Sequence, residues 1–182
     1  MKTILRLLSP TEAEFYDLQQ GRLIARSKPM HADISTGGAD QPDAVIIAAS
    51  LLAWGQTTID ESRIKHDRFH FADRTAHNAT SLTWTRPGIG KAGTVLYQAW
   101  IDSAHLDRLL TQWRLASTTP IFAEPLCLRA EGGPVEWWSG ALPIRSVAGD
   151  PVAEIFQQSD MPRAQTLPRR LIFDSSQGRF LA

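Results

Sequence analysis

The sequence predicts an α/β protein made mostly of short strands. Three observations carry that expectation. Thr94 to Phe122 reads as strand, helix, strand, the order that builds an α/β layer. The other apolar runs are short and punctuated by Gly and Pro, as strands between turns are. Finally, 182 residues with 43% hydrophobic and 21% charged side chains match a folded domain and not a disordered segment. The balance of 19 Lys+Arg against 19 Asp+Glu gives zero net charge, which disfavours a general nucleic-acid binder and its basic face. Neutrality also leaves no net repulsion between copies of the chain.

Taken in order, Thr3–Leu8 reads as the first strand. Ser9-Pro-Thr-Glu12 matches a helix-start capping box. The stretch Glu14 to Arg26 reads instead as a hairpin closed at Gly21, and we favour the hairpin because a helix ending there would be short and weakly amphipathic. Pro29, Gly37, Gly38 and Pro42 mark residues 27–42 as a loop. Ala44–Ala53 is continuously apolar, which suits a buried strand or a buried short helix. Residues 55–79 are polar and charged, Ser81–Thr85 alternates as a strand, and Arg86–Gly93 reads as a turn. Thr94–Ile101 is a strand, and Asp102 or Ser103 can cap the helix that follows. Leu106, Leu109, Leu110 and Trp113 give that helix one apolar stripe, and Thr119-Pro120 is expected to end it. Ile121-Phe122 begins another extended piece. Gly132-Gly-Pro134 and Pro143 separate short strands, and Leu171–Phe173 is the last strand. The longest apolar run, Ala44–Trp54, is too short to cross a bilayer, and Met1–Leu8 lacks the features of a signal peptide.

Candidate chemistry is sparse. Gly88-Ile-Gly-Lys91 resembles part of a phosphate loop, but Thr85 stands where a Gly is required and Ala92 where a Ser or Thr would hold magnesium. His66 and His70 have a ligand-compatible spacing, with Asp60, Glu61, Asp67 and Asp73 nearby. Exposed loop histidines are the simpler reading, and no metal site is expected. Cys127, the single cysteine, cannot form an internal disulfide, and this suits a reducing compartment. Set between leucines, it reads as an inert thiol in a buried strand. No pair of carboxylates is singled out by an apolar setting. The six tryptophans read chiefly as packing residues, with an interface as the second use. No catalytic residue and no cofactor is therefore expected.

Thr94–Trp113 resembles the strand and helix of the cytoplasmic domain of the type II secretion protein GspL, the PulL family. Ile121–Leu128, the tryptophan strand Val135–Trp138 and Ile144-Arg145 through Gly149 are similar to the segments that follow in that family. The end, Leu171–Ala182 with Gln177, Gly178 and Phe180, is similar to the signature preceding the family's transmembrane helix. The likeness covers most of 94–182 and, more loosely, 1–54. Residues 55–93 depart from it, with only His70-Phe-Ala72 as an echo.

The resemblance implies a degenerate actin-like (RNase H-like) fold with β-rich lobes, here 1–93 and 94–182, that has lost nucleotide hydrolysis. Ser9-Pro-Thr11 offers neither the Gly nor the acid that an actin-type phosphate loop needs after the first strand. It also implies a non-enzymatic scaffold at the cytoplasmic face of the bacterial inner membrane. Its partners would be the N-terminal domain of the GspE-type secretion ATPase, the GspM- and GspF-type platform subunits, and a second copy of the chain. Arg63, Lys65, Arg68 and His70, with Trp137 and Trp138, are the expected partner-binding residues. Arg163, Arg169, Arg170 and Arg179, opposed after Arg163 by Asp174 alone, have the bias of a cytoplasmic flank. A transmembrane helix directly after Ala182 is the matching expectation. The alternatives are a small metal- or nucleotide-binding enzyme and an immunity-type binding protein.

Overall fold

The computed structural model describes residues 3–26, 30–31, 41–58, 81–90, 93–149, 153–155 and 166–175. The first strand, β1 (Thr3–Leu7), is followed by β2 (Glu12–Gln19), β3 (Arg22–Ala25), β4 (Met30–His31) and β5 (Ala44–Ile47). A 3-10 turn, Ala49–Leu51, leads into β6 (Ala53–Thr58), β7 (Ser81–Gly90) and β8 (Gly93–Asp102). Helix α1 (Ser103–Gln112), β9 (Ile121–Ala123), a single helical turn α2 (Glu124–Cys127) and β10 (Leu128–Ala130) come next. The described chain closes with β11 (Val135–Ser139), β12 (Leu142–Ser146), β13 (Glu154–Ile155) and β14 (Leu171–Phe173).

Among the described residues these strands make three sheets. The large one runs β10-β14-β3-β2-β1-β5-β9, with β4 beside β2. β2 is antiparallel to β1 and β3, whereas β5 is parallel to β1 and β9 is parallel to β5. The smaller sheets are β6-β8-β7 and β11-β12-β13. The product is a mixed α/β fold that is mostly strand, as the sequence predicts.

The strand β1 shows why its sequence is nearly all apolar. Leu5 and Leu7 face one core, with Phe15, Val45 and Ile47, while Ile4 faces the other, with Tyr16, Ala44 and Ile46. A strand covered on both faces loses the polar alternation of a half-exposed one. Leu106, Leu109 and Trp113 of α1, with Trp84 and Tyr97, cover the first face. Trp137 and Ile144 of the β11–β12 hairpin, with Leu167, Leu171 and Phe173, cover the second.

The hairpin reading of Glu14 to Arg26 holds, with β2 and β3 paired from Tyr16 and Ala25 down to Gln19 and Arg22. Gln20 and Gly21 turn the chain with φ of 50° and 80°, the paired left-handed conformation of a two-residue hairpin loop. The capping-box signal is used differently. Ser9 Oγ accepts the amides of Thr11 at 3.1 Å and Glu12 at 3.0 Å, but in the turn between two strands and not at a helix start. Asp102 caps α1 by accepting the His105 amide at 2.9 Å.

Four expectations need correction. Arg86–Gly90 is strand and not turn, because β7 continues to Gly90, and Pro87 is tolerated there because β7 is an edge strand. Helix α1 ends well before Thr119-Pro120. Arg114 adopts φ 51°, its amide meets the Thr111 carbonyl at 3.0 Å, and the Leu115 amide meets Leu110 at 2.9 Å. This is a Schellman stop without its usual glycine. Cys127 sits in α2 and not in a strand. Pro143 lies inside β12 and does not interrupt it: its partner on β11 is Trp138, and β13 pairs only with Ile144 and Arg145.

Candidate functional site

Under the β11–β12 hairpin the second core contains a cluster of charges. Arg6 projects from β1 on the same side as Ile4, Glu14 and Tyr16 project from β2 toward it, and Glu124 opens α2. Relative exposure is 1% for Arg6, 5% for Glu14 and 0% for Glu124. Buried charges persist only when paired and hydrogen-bonded, and here they are. Arg6 Nη1 donates to Glu14 Oε2 at 2.8 Å. Arg6 Nη2 lies 2.6 Å from Glu124 Oε1 and 2.9 Å from the Trp138 carbonyl oxygen.

Each oxygen of Glu124 is held by two donors. Oε1 also accepts the Trp137 indole N–H at 3.1 Å. Oε2 accepts the Ala49 amide at 2.5 Å and the Ser139 hydroxyl. The Tyr16 hydroxyl donates to Glu14 Oε2 at 2.5 Å and accepts the Leu167 amide at 2.9 Å. Gly140, at φ 57°, lets the β11–β12 turn come close, since a Cβ there would stand 2.7 Å from Ser50 Oγ.

The electrostatics match the geometry. Burial alone would pull the Arg6 guanidinium down, but the carboxylates of Glu124 and Glu14 together carry its pKa above the usual range. Burial pushes the Tyr16 phenol up, against the pull of Arg6. The thiol of Cys127, the last residue of α2, is raised by burial and then by the Glu124 charge, which disfavours the thiolate. The arrangement is a closed clamp. Both oxygens of Glu124 and Oε2 of Glu14 are turned to protein donors, so these atoms would have to give up those bonds before taking part in chemistry.

Sequence reasoning missed this cluster, and the expectation that no carboxylate pair stands in an apolar setting is overturned by Glu14 and Glu124. The available signal was a charge inside a doubly buried strand: Arg6 within Ile4-Leu-Arg-Leu-Leu8, and Glu14 within Ala13-Glu-Phe-Tyr16. Of the expected partner-binding residues, Arg63, Lys65, Arg68 and His70 lie outside the described residues, as do His66, His77 and the neighbouring acids. Trp137 is 1% exposed and faces Glu124, whereas Trp138 is half-buried on the other side of β11. Gln177, Gly178, Phe180, Arg163 and Arg179 also lie outside the described residues, while Arg169 and Arg170 are exposed. Among the described residues, no group of three or more His, Cys, Asp or Glu is placed to hold a metal ion. No helix among them is long and apolar enough to cross a membrane.

No family model and no curated protein sequence matches the chain. Solved structures do. One is the cytoplasmic domain of EpsL, an inner-membrane component of the type II secretion system of Vibrio cholerae, at TM-score 0.51 and 11% identity over 85% of this chain and 70% of that one. Another is a Bacteroides thetaiotaomicron protein with an actin-like ATPase fold and unknown function, at TM-score 0.37 and 12% identity over 86% of this chain and 69% of that one. The chain thus shares its fold with the EpsL cytoplasmic domain.

Proposed function

We propose that this protein is a non-catalytic component of a type II secretion platform at the cytoplasmic face of the bacterial inner membrane, and that it recruits the secretion ATPase by binding. The observation that carries the reading is the fold shared with the EpsL cytoplasmic domain across 85% of the chain. The order of motifs from Thr94 to Gly149 supports it from the sequence side.

A degenerate actin-like ancestry fits the β3-β2-β1-β5-β9 core, in which antiparallel strands give way to parallel ones at β1. The turn after β1 supports the proposed loss of nucleotide chemistry. Anion-binding loops aim free backbone amides at a phosphate. Here the Ser9 hydroxyl takes the amides of Thr11 and Glu12 for itself. The acid at the end of β9, Glu124, is committed to Arg6, Trp137, Ser139 and Ala49.

The ATPase contact is proposed on the basic segment holding Arg63, Lys65, Arg68 and His70, steered by charge, with Trp138 as an aromatic contact. Trp137 would contribute from inside by setting the β11 backbone. Platform subunits of the GspM and GspF types and a second copy of the chain are the further proposed partners. The test is a pull-down with the N-terminal domain of the secretion ATPase from the same genome. Retention of that domain, lost on reversing Arg63, Lys65 and Arg68 to Glu, is expected. Undiminished retention by the reversed variant discards the face, and no retention by the wild-type chain discards the function.

A further inference from the structure

The charge cluster joins parts of the molecule that are remote in sequence. At one end is the segment 166–173, which carries the chain into β14. Its Leu167 amide reaches the Tyr16 hydroxyl across 151 positions. At the other end is the β11–β12–β13 sheet, whose Trp138 carbonyl meets Arg6 across 132 positions. We propose that the Arg6–Glu14–Glu124 cluster is a conformational relay, coupling the docking of 166–173 to the position of the β11–β12–β13 sheet so that the two tighten and loosen together. The relay does not depend on which partner the protein binds.

Hydrogen-bond direction supplies the mechanism. A phenol has one proton, and that of Tyr16 goes to Glu14 Oε2 at 2.5 Å. Only then are its lone pairs turned to the Leu167 amide at 2.9 Å. Glu14 keeps its orientation because Arg6 Nη1 holds the same oxygen at 2.8 Å. The other Arg6 nitrogen holds Glu124 at 2.6 Å, and Glu124 in turn fixes β11 through the Trp137 indole and the Ser139 hydroxyl. Most donors along this path point at an acid or at the phenol. One Arg6 nitrogen also meets the Trp138 carbonyl, while Arg6 Nε has no hydrogen-bond partner among the described residues, and the linked bonds polarise one another. Tyr16, Glu124 and Ser139 are each 0% exposed, so bulk water is not at hand to replace a partner that is lost. Loss at one end therefore frees donors at the other.

The cluster carries its own reporters for native-state hydrogen exchange on the full chain. The Leu167 amide reads the segment end. The Ala49 amide and the Trp137 indole N–H, both on Glu124, read the sheet end. Tyr16→Phe is expected to speed exchange at Leu167 about tenfold, as its acceptor is lost. The relay requires Ala49 and the Trp137 indole to speed up as well, by about threefold or more. Coupling is reciprocal, so Ser139→Ala must speed Leu167 from the far end. Leu109→Ala, in the opposite core, is the control and is expected to leave the ratio of cluster to α1 exchange rates low. If Tyr16→Phe moves Leu167 alone, or Ser139→Ala leaves Leu167 unchanged, the relay is refuted. If Leu109→Ala speeds the cluster as much as α1, the shared response is global opening and the relay is likewise refuted. Should Tyr16→Phe fail to fold, Ser139→Ala decides the matter through Leu167.

Discussion

The two faces of the large sheet are buried alike and held by different physics. On one, Leu5, Leu7, Phe15, Val45 and Ile47 pack against Leu106, Leu109 and Trp113 of α1. On the other, Ile4, Tyr16 and Ile46 share the interior with Arg6, Glu14 and Glu124. Apolar packing is non-directional, so each contact adds a part of the stability and loses a part when removed. A buried ionic cluster behaves differently. It gains little as a whole, because desolvation offsets attraction, but it fails badly when one member is missing. The apolar face therefore supplies stability, while the charged face specifies where the β11–β12 hairpin must sit.

The largest effect should come from breaking the charged face by halves. Glu124→Ala leaves Arg6 facing an empty site and should cost about 3–5 kcal/mol in urea unfolding. Replacing Arg6, Glu14 and Glu124 together by Met, Leu and Leu should recover only the part due to the stranded guanidinium, because the Ala49 amide, the Trp137 indole and the Ser139 hydroxyl still lose their acceptor. Equal losses in the single and triple variants would show that the two faces do not differ in kind. On the apolar face, Leu109→Ala should cost about 2–5 kcal/mol with an unchanged denaturant slope. Removing the α1 cap by Asp102→Ala should cost about 1 kcal/mol and leave the charged face untouched, read from the Trp137 indole resonance.

The smallest effect at neutral pH appears only on raising pH. Burial lifts the Tyr16 phenol, so the folded chain keeps that proton where the unfolded chain has lost it. The folded state then binds more protons, and stability falls as pH rises beyond the ordinary tyrosine value of about 10. Cys127, also raised by burial, adds a fall of the same sign from about pH 8.5 upward. Tyr16→Phe should flatten the upper part of this alkaline limb in thermal melts, and an unchanged limb would remove Tyr16 from the cluster's energetics.

The apolar face was legible in the sequence and the charged face was not, for a physical reason. Leu106, Leu109 and Trp113 announce a helix stripe because period is local information. So do the turn at Gly21 and the cap at Asp102. Arg6, Glu14 and Glu124 become neighbours only through the pairing of β1 with β2 and through the crossover that brings β9 beside β5. Local pattern hides such an arrangement, although a charge flanked by doubly buried residues hints at it. Residues 86–90 misled because Pro87 and its glycines carry a turn composition, and edge position in a sheet is not a local property. The resemblance taken from motif order is met by a shared fold with the EpsL cytoplasmic domain at 11% identity, while no family model matches the sequence. The expected contact segment, Arg63 to His70, lies outside the described residues.

The most direct measurement of the proposed function is calorimetric titration of the folded chain with the purified N-terminal domain of the secretion ATPase encoded in the same genome, run beside a titration with Mg-ATP. Saturable heat with the ATPase domain and none with nucleotide is the expected result. Binding of nucleotide with no response to the ATPase domain would contradict it.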